Sequence, residues 1–205
     1  MDYFLLARIL GSFLLGAIPF AVVAMWGTGI DITKVGSGNP GFNNVLRVAS
    51  KPRALVALVG DLFKGTLALF VFSALLGSDD SLMVRWLLGL AAVIGHCFTP
   101  FLRFRGGKGV ATSAGVLLYL NPWQALAGAP VYFGLRLLGK RRGWSQRGAI
   151  ASLAMLAVIT VLVIGFAPPE APPEAALFAV ALLVLVVLRH TSNLREVFAG
   201  MKSKA

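Results

Sequence analysis

The sequence IASLAMLAVITVLVIGF, at residues 150–166, contains no charged residue. A run of this length and composition is typical of a helix that crosses a lipid bilayer. Similar apolar runs occur at residues 67–76, 87–94 and 175–188. The whole chain is 58% hydrophobic and 13% charged, with a mean hydropathy of +0.82. Since a water-soluble fold could not bury so much apolar surface, we expect an all-α integral membrane protein with a single domain, residues 1–205.

Five full membrane spans are predicted from these runs and their flanking residues. The predicted spans cover residues 4–26, 53–76, 84–101, 148–166 and 175–188. Another mostly apolar segment, residues 110–138, is divided by Asn121-Pro122 into pieces that are short for a crossing. We expect this segment to form a re-entrant or thin helical hairpin, which brings the total to about seven helices.

Lysine and arginine are distributed unevenly between the connections. Most of them lie between the first two spans, around residues 103–108, around residues 136–147, and in the C-terminal tail. The connections at 77–83 and 167–174 carry only acidic charges. The positive-inside rule therefore predicts that the basic connections and the C-terminus are cytoplasmic and that the N-terminus is outside. We interpret the net charge of +11 as a sign of membrane topology and expect no nucleic-acid partner.

The first basic connection contains GSGNPGFNNVLR at residues 36–47. Its glycines let backbone amides approach a ligand closely, and an arginine can bind phosphate with two hydrogen bonds. The pattern is neither a Walker loop nor a dinucleotide-binding loop, because it lacks the following Gly-Lys-Ser/Thr and a preceding strand. We predict a phosphate-binding loop, with an unliganded flexible loop as the alternative. Its candidate residues are Gly36, Ser37, Gly38, Asn39, Gly41, Asn43, Asn44 and Arg47.

A second glycine-rich segment reads RFRGGKGVAT at residues 103–112. Gly106, Gly107 and Gly109 surround Lys108, so the ammonium group and several backbone amides can converge on an anion. The helix that follows would point its positive dipole end in the same direction. The neighbouring arginines, Arg103 and Arg105, face lipid headgroups in the alternative interpretation.

Four other polar residues are candidates for the site. His190 and Asn193 are three residues apart and share one helix face, where a histidine can act as a base and an asparagine can orient it. Asp61 and Lys64 are one turn apart within the second span, and charges at such depth normally pair inside the bundle. We expect this pair to support the site. His96 is expected to serve packing or headgroup contact.

In combination these motifs resemble those of the acyl-phosphate:glycerol-3-phosphate acyltransferase family, PlsY. They are GSGNPG with NVLR at 36–47, DLFKG at 61–65, GH at 95–96, GGKGVAT at 106–112 and His-x-x-Asn at 190–193. The resemblance covers nearly the whole chain in order. It implies a multi-pass enzyme of the bacterial inner membrane with its active site facing the cytoplasm.

The reaction that the resemblance implies is the first step of bacterial phospholipid synthesis. An acyl group passes from acyl-phosphate to the 1-hydroxyl of glycerol 3-phosphate, giving lysophosphatidate and phosphate, without acyl carrier protein or CoA. No cofactor and no metal are expected. The catalytic roles fall on Ser37, Arg47, Lys108, His190 and Asn193. The glycine-rich motif that binds glycerol 3-phosphate corresponds to Gly106, Gly107, Lys108, Gly109, Ala111 and Thr112.

This chain departs from the family pattern at three places. Phe42-Asn43 replaces the usual Ala-Thr after the first motif, so a role of that threonine would pass to Asn43. Glu196 stands where the family usually has arginine, three residues after the motif's asparagine. Lys202 replaces a glutamate near the C-terminus, whose contact would be lost or supplied by Glu196.

Two chemical alternatives and one different class of function follow from the sequence. Acyl-phosphate has a good leaving group, so direct attack by the substrate hydroxyl needs only positioning and charge neutralisation. In that mechanism the proton passes to His190 or to the leaving phosphate. Alternatively, Ser37 is acylated first. The rival class is an organic-anion transporter, since broken helices with buried charge also mark transport sites.

Overall fold

The computed structural model describes residues 2–77, 80–167 and 173–202, with side chains described up to residue 199. Within these ranges the chain forms ten α-helices and no β-strand, which confirms the all-α prediction. The chain divides into two compact units, Met1–Leu120 and Asn121–Ala205. The single domain over residues 1–205 stays a prediction. Most of the acidic connection predicted at 167–174, and Asp79 of the other one, lie outside the described residues.

The first unit contains six α-helices. They are α1 (Tyr3–Ala17), α2 (Phe20–Ala24), α3 (Phe42–Val48), α4 (Lys51–Leu69), α5 (Leu82–Cys97) and α6 (Val110–Leu120). A π-helical segment, Phe70–Leu75, continues α4, and a 3-10 turn, Pro100–Leu102, follows α5. Helix α1 packs along α5, and α4 packs against α2, α3 and α6.

Prolines divide the predicted spans of this unit. Proline has no amide hydrogen and cannot continue a helix without losing a hydrogen bond. Pro19 therefore separates α1 from α2, and Pro100 begins the 3-10 turn beyond α5. The sequence-based prediction of one continuous first span missed the break at Pro19. The break predicted at Asn121-Pro122 is confirmed, because α6 ends at Leu120 and the next helix begins at Pro122.

Glycines bring pairs of helices in the first unit into backbone contact. A Cβ atom on Gly16 of α1, or on Gly95 of α5, would lie 2.0 Å from a carbonyl oxygen of the facing helix. Gly65 of α4 and Gly115 of α6 make the same approach, at 2.3 and 1.9 Å. Small residues at helix crossings are the typical packing device in membranes, where lipid competes with side chains for apolar contact.

The second unit contains the remaining four helices. They are α7 (Pro122–Arg141), α8 (Arg147–Gly165), α9 (Glu174–Arg189) and α10 (Thr191–Lys202). Helix α8 packs between α7 and α9. Helix α7 extends beyond residue 138, the predicted end of the hairpin, because it continues through Pro130 to Arg141. A bend of 60° separates α9 from α10.

Four stretches in the described chain are long and apolar enough to cross a membrane. They are Tyr3–Ala24, Lys51–Leu75, Leu82–Leu102 and Arg147–Gly165. These confirm the first four predicted spans. The fifth, predicted at residues 175–188, is α9, which reaches the required length only together with α10. Large apolar side chains on these helices are exposed, for example Phe63 at 54% and Val161 at 67%, as expected for surfaces that face lipid.

Candidate active site

Asn44 fixes the glycine loop, which we define as residues 36–41. Its side chain is buried at the start of α3 and donates hydrogen bonds to the carbonyl oxygens of Ile32 and Val35, at 3.1 and 3.0 Å. Its Oδ1 accepts the amide hydrogen of Ser37 at 2.8 Å. Since these bonds use both amide hydrogens, Asn44 shapes the loop in this conformation. Its direct contact with substrate stays a prediction.

The glycine loop holds its polar residues at the protein surface. Gly36 and Gly38 have φ angles of +61° and +69°, which side-chain-bearing residues rarely adopt. A Cβ on Gly36 would also lie 2.3 Å from Asn44 Oδ1. These two turns leave Ser37 exposed. Asn39 is half-buried, and its amide donates to Ser37 Oγ at 3.5 Å.

The loop ends at α3, which carries the last candidates of this segment. Gly41 is the extended residue that precedes the helix. Asn43 in the first turn and Arg47 in the last turn are both exposed. Ahead of the loop, hydrogen bonds from Thr33 hold the pKa of Asp31 below its ordinary value, so this carboxylate stays charged at neutral pH.

The lysine loop, residues 106–109, is attached to the end of α5 by backbone hydrogen bonds. The amides of Gly106 and Gly107 donate to the carbonyl oxygens of Cys97 and His96, both at 3.1 Å. The sequence pattern predicts that such amides converge on an anion, whereas these two hydrogens point to α5 in this conformation. These hydrogen bonds therefore fix the backbone conformation of the lysine loop, and contact of the two amides with substrate stays a prediction.

Beyond these glycines the chain turns into α6. Gly109 has a φ of +86° and its carbonyl oxygen accepts the amide hydrogen of Ser113, so α6 starts at Val110, two residues after Lys108. The first amides of a helix have no partner within the helix and carry its positive dipole end. Ala111 lies in this first turn. Thr112, in the same turn, is fully buried, and its Oγ1 has no hydrogen-bond partner among the described residues.

A small pocket in the first unit joins the two loops. It is lined by Pro40 of the glycine loop and by Gly106 and Gly107 of the lysine loop. The predicted supporting pair, Asp61 and Lys64, also lines it. The other lining residues are Ala17, Pro19, His96, Thr99 and Leu102. Two motifs that are about seventy residues apart in the chain therefore meet at one place.

The supporting pair has a third member, His96, for which the sequence alone predicts packing or headgroup contact. Lys64 Nζ lies 2.8 Å from Asp61 Oδ1, and His96 Nδ1 lies 3.4 Å from the same oxygen. All three side chains are buried. Lys64 also donates to the carbonyl oxygen of Ile18 at 2.7 Å, at the break between α1 and α2. Charges at this depth need such pairing and hydrogen bonding.

The third motif belongs to the second unit. His190 is buried at the bend between α9 and α10, and its Nδ1 lies 2.8 Å from the carbonyl oxygen of Val186. A carbonyl can only accept a hydrogen bond, so Nδ1 carries the proton. In the neutral ring the lone pair is then on Nε2, which is the atom a general base uses.

Asn193 has a partner that the sequence did not indicate. Its Nδ2 donates to Gln146 Oε1 at 2.6 Å, and Gln146 Nε2 donates to the carboxylate of Glu196. A carboxylate only accepts, so Glu196 fixes which end of the Gln146 amide faces Asn193. Gln146 lies just before α8, in a turn whose composition carries no motif, and only the fold brings it to the third motif.

Comparison with known proteins decides the family. The sequence profile described as "Glycerol-3-phosphate acyltransferase" matches residues 6–200. The chain belongs to the glycerol-3-phosphate acyltransferase family. The glycerol-3-phosphate acyltransferase of Aromatoleum aromaticum is 40% identical over 100% of this chain and 97% of its own length. That of Laribacter hongkongensis is 39% identical over 97% of this chain and 95% of its own.

Two solved structures have the same fold. One is PlsY (YgiH), described as an integral membrane glycerol 3-phosphate acyltransferase in its glycerol 3-phosphate form. It is 30% identical, with a TM-score of 0.83 over 96% of this chain and 92% of that one. Its lysophosphatidic acid form gives a TM-score of 0.81 at 29% identity. These matches confirm the resemblance found in the sequence motifs.

The departures from the acyltransferase family pattern have different outcomes. Glu196 has a defined contact, the hydrogen bond from Gln146, so the acidic residue at this position connects to Asn193 through one amide. Asn43 is exposed on α3 beside the glycine loop, and its role in place of the family threonine stays a prediction. The side chain of Lys202 lies outside the described residues.

The contact of Gln146 leads to a testable expectation for this acyltransferase. Gln146→Leu removes both hydrogen bonds and should lower kcat for acyl transfer by on the order of tenfold, because the amide of Asn193 loses its fixed orientation. The exchange Gln146→Glu/Glu196→Gln keeps an acceptor for Asn193 and a donor–acceptor pair between positions 146 and 196, and should cost less. Steady-state kinetics with the thermal transition recorded in parallel would test this. Equal losses in both variants would contradict the proposed orientation.

Potential metal ligands do not cluster in the described part of the chain. Between residues 2 and 199, leaving out 78–79 and 168–172, no group of three or more His, Cys, Asp or Glu side chains could hold a metal ion.

Proposed function

We propose that this acyltransferase uses acyl-phosphate as its donor and releases inorganic phosphate and 1-acyl-glycerol 3-phosphate. The observation that carries the proposal is the pocket at which the glycine loop and the lysine loop meet. Acyl-phosphate and glycerol 3-phosphate both carry phosphate, and two adjacent anion-binding loops suit a pair of anionic substrates. Acyl carrier protein and CoA are not required in this scheme.

Arg47 and Lys108 are proposed to hold the two phosphates. Arg47 is exposed in the last turn of α3, and Lys108 lies two residues before the start of α6 at Val110. A guanidinium group can bind phosphate with two parallel hydrogen bonds, and an ammonium group next to a helix N-terminus adds to a positive field. Ser37, presented by the left-handed turns at Gly36 and Gly38, is proposed to hydrogen-bond the acyl-phosphate.

The chemical step is proposed to be a direct transfer. The 1-hydroxyl oxygen of glycerol 3-phosphate attacks the acyl carbon, the bond from that carbon to the phosphate oxygen breaks, and phosphate leaves. The hydroxyl proton passes to His190 Nε2 or to the departing phosphate. The hydrogen bond of His190 Nδ1 with Val186 supports the first route because it leaves the basic lone pair on Nε2. Asn193 is proposed to orient the attacking hydroxyl.

The site is proposed to face the cytoplasm of a bacterial inner membrane. The support is the charge pattern: the basic residues flank both loops and the third motif, and the positive-inside rule places such segments on the cytoplasmic side. In this orientation the N-terminus is outside and the C-terminus inside. Cysteines introduced at exposed positions 47, expected inside, and 3, expected outside, of a Cys97→Ala protein would report the two sides to a membrane-impermeant thiol reagent.

A direct assay tests the donor. Purified protein is incubated with labelled glycerol 3-phosphate and, in separate reactions, palmitoyl-phosphate, palmitoyl-CoA and palmitoyl-acyl carrier protein. We expect labelled lysophosphatidate with palmitoyl-phosphate alone. Product from either of the other donors, in the absence of palmitoyl-phosphate, would overturn the proposal. Uptake of labelled glycerol 3-phosphate into proteoliposomes without acylation would favour the transporter instead.

The remaining alternative is an acyl-enzyme on Ser37. Labelled palmitoyl-phosphate without glycerol 3-phosphate would then leave label on the protein, and Ser37→Ala would abolish it. For direct transfer we expect no protein-bound label. His190→Ala should lower the rate without abolishing it if the leaving phosphate can take the proton.

A further inference from the structure

We infer that His96 positions the lysine loop, because its ring is held on one side by the buried Asp61–Lys64 pair and touches Gly107 on the other. The inference rests on the proposed function, since it assigns the lysine loop to the phosphate of glycerol 3-phosphate. It gives a kinetic role to a histidine for which the sequence alone predicts packing or headgroup contact.

The first observation is how firmly the His96 ring is held. Its Nδ1 lies 3.4 Å from Asp61 Oδ1, and the same oxygen is 2.8 Å from Lys64 Nζ. Lys64 also donates to the Ile18 carbonyl oxygen and lies 5.9 Å from the centre of the Phe20 ring. The imidazole is therefore tied to α4 and to the α1–α2 break. Because the His96, Asp61 and Lys64 side chains are buried, the ring has little freedom to turn.

The second observation is the contact with the loop. A Cβ atom on Gly107 would lie 2.2 Å from His96 Nε2, so the far edge of the ring touches the backbone of Gly107. The amide of Gly107 donates to the backbone carbonyl oxygen of His96 at 3.1 Å. His96 thus holds Gly107 through its side chain and its backbone together. The next residue in the chain is Lys108.

These contacts set the position of the Lys108 backbone. If the ring is shortened, Gly107 loses the surface on which it rests and Lys108 can shift relative to α6. A displacement of about one ångström at a phosphate-binding group is enough to change substrate binding by on the order of tenfold or more. The effect should fall on the KM for glycerol 3-phosphate more than on kcat, because binding of a phosphate remote from the reacting hydroxyl is shared by ground state and transition state.

Two replacements of His96 separate its contacts. His96→Asn places an amide near the position of Nδ1, which keeps the link to Asp61 but leaves a gap beside Gly107. His96→Gln extends to the position of Nε2 and fills that gap. We expect the asparagine variant to raise the KM for glycerol 3-phosphate by on the order of tenfold and the glutamine variant to stay within about threefold of wild type. The opposite order would overturn the inference.

A size exchange tests the contact from the other side. Gly107→Ala puts a methyl group against the imidazole and should raise the same KM. In the double variant His96→Asn/Gly107→Ala the smaller side chain makes room for the methyl group, so its KM should lie below that of either single variant. Additive effects would show that the two residues are not coupled and would overturn the inference. The Gly107→Ala variant tests the contact even if the asparagine variant fails to fold. An unchanged KM for glycerol 3-phosphate in Gly107→Ala would also overturn the inference.

The first unit offers a matched control. Arg8 and Asp80 form another buried ion pair, with side chains 7% and 8% exposed, and Arg8 also donates to the Phe72 carbonyl oxygen. Asp80→Asn should lower the thermal transition while leaving the KM for glycerol 3-phosphate unchanged. If the His96 and Gly107 variants only lowered the transition as this control does, His96 would be purely structural. Absence of lysophosphatidate formation by wild type would instead refute the proposed function itself.

Discussion

Replacement of Asn44 by aspartate is expected to abolish acyl transfer and to destabilise the first unit, although the two side chains have nearly the same shape. The aspartate has no hydrogens to donate to the Ile32 and Val35 carbonyl oxygens, and its charge would be buried opposite them. An uncompensated buried charge costs about 3–5 kcal/mol. The glycine loop should then leave the conformation that presents Ser37.

The measurement is the rate of lysophosphatidate formation, with the free energy of unfolding or the thermal transition followed in detergent. Asn43→Asp is the matched control, because it adds the same charge one residue earlier on the exposed side of α3. The control should leave the thermal transition close to that of wild type. If the Asn44 variant kept both its stability and its activity, the side chain could not be the element that shapes this loop.

Replacement of Lys108 by methionine has the second large expected effect. Lys108 precedes α6, and we propose that its ammonium group and the positive end of the helix dipole act on the same anion. Loss of one preorganised charge from such a site typically costs about a hundredfold to a thousandfold in rate. We expect a fall of that size in kcat/KM for glycerol 3-phosphate, with little change in the thermal transition, because Lys108 is only half-buried.

Arg105→Met is the control for Lys108, since Arg105 is exposed on the same segment and faces lipid headgroups in the alternative interpretation. It should leave kcat/KM within about threefold of wild type at moderate ionic strength, because salt ions screen the interaction of an exposed charge with the substrate. Lys108→Arg keeps the charge and should retain part of the activity. Equal losses in the Arg105→Met and Lys108→Met variants would assign the effect to the general basicity of the segment.

The sequence predicts the helices of this protein better than it predicts their contacts. A long apolar run predicts a span by composition alone, and the Asn121-Pro122 break was predictable because proline acts locally. The break at Pro19 was missed since the apolar run continues on both sides of it. The predicted end of α7, residue 138, was also too early. The helix continues through Pro130 as far as Arg141.

For the site, the sequence predicted which segments carry polar chemistry and missed how they are held. The burial of Asp61 and Lys64 as a pair followed from their spacing of one turn, because residues three apart in a helix are neighbours. His96 joins them from another helix, and Gln146 reaches Asn193 from another turn. Such contacts depend on the packing of helices far apart in the chain, which residue spacing does not encode.

The glycine crossings between α1 and α5 and between α4 and α6 also fix how far each helix is shifted along its axis relative to its partner. They therefore determine which residues of these helices lie next to each other at the site. Where two backbones touch, sliding one helix by a turn would drive a side chain into a carbonyl oxygen, so each pair has a single sterically allowed register. Ile18 follows α1, Lys64 belongs to α4 and His96 lies in the last turn of α5. The relative positions of these three residues along the helix axes are therefore set by glycines that do not line the pocket themselves.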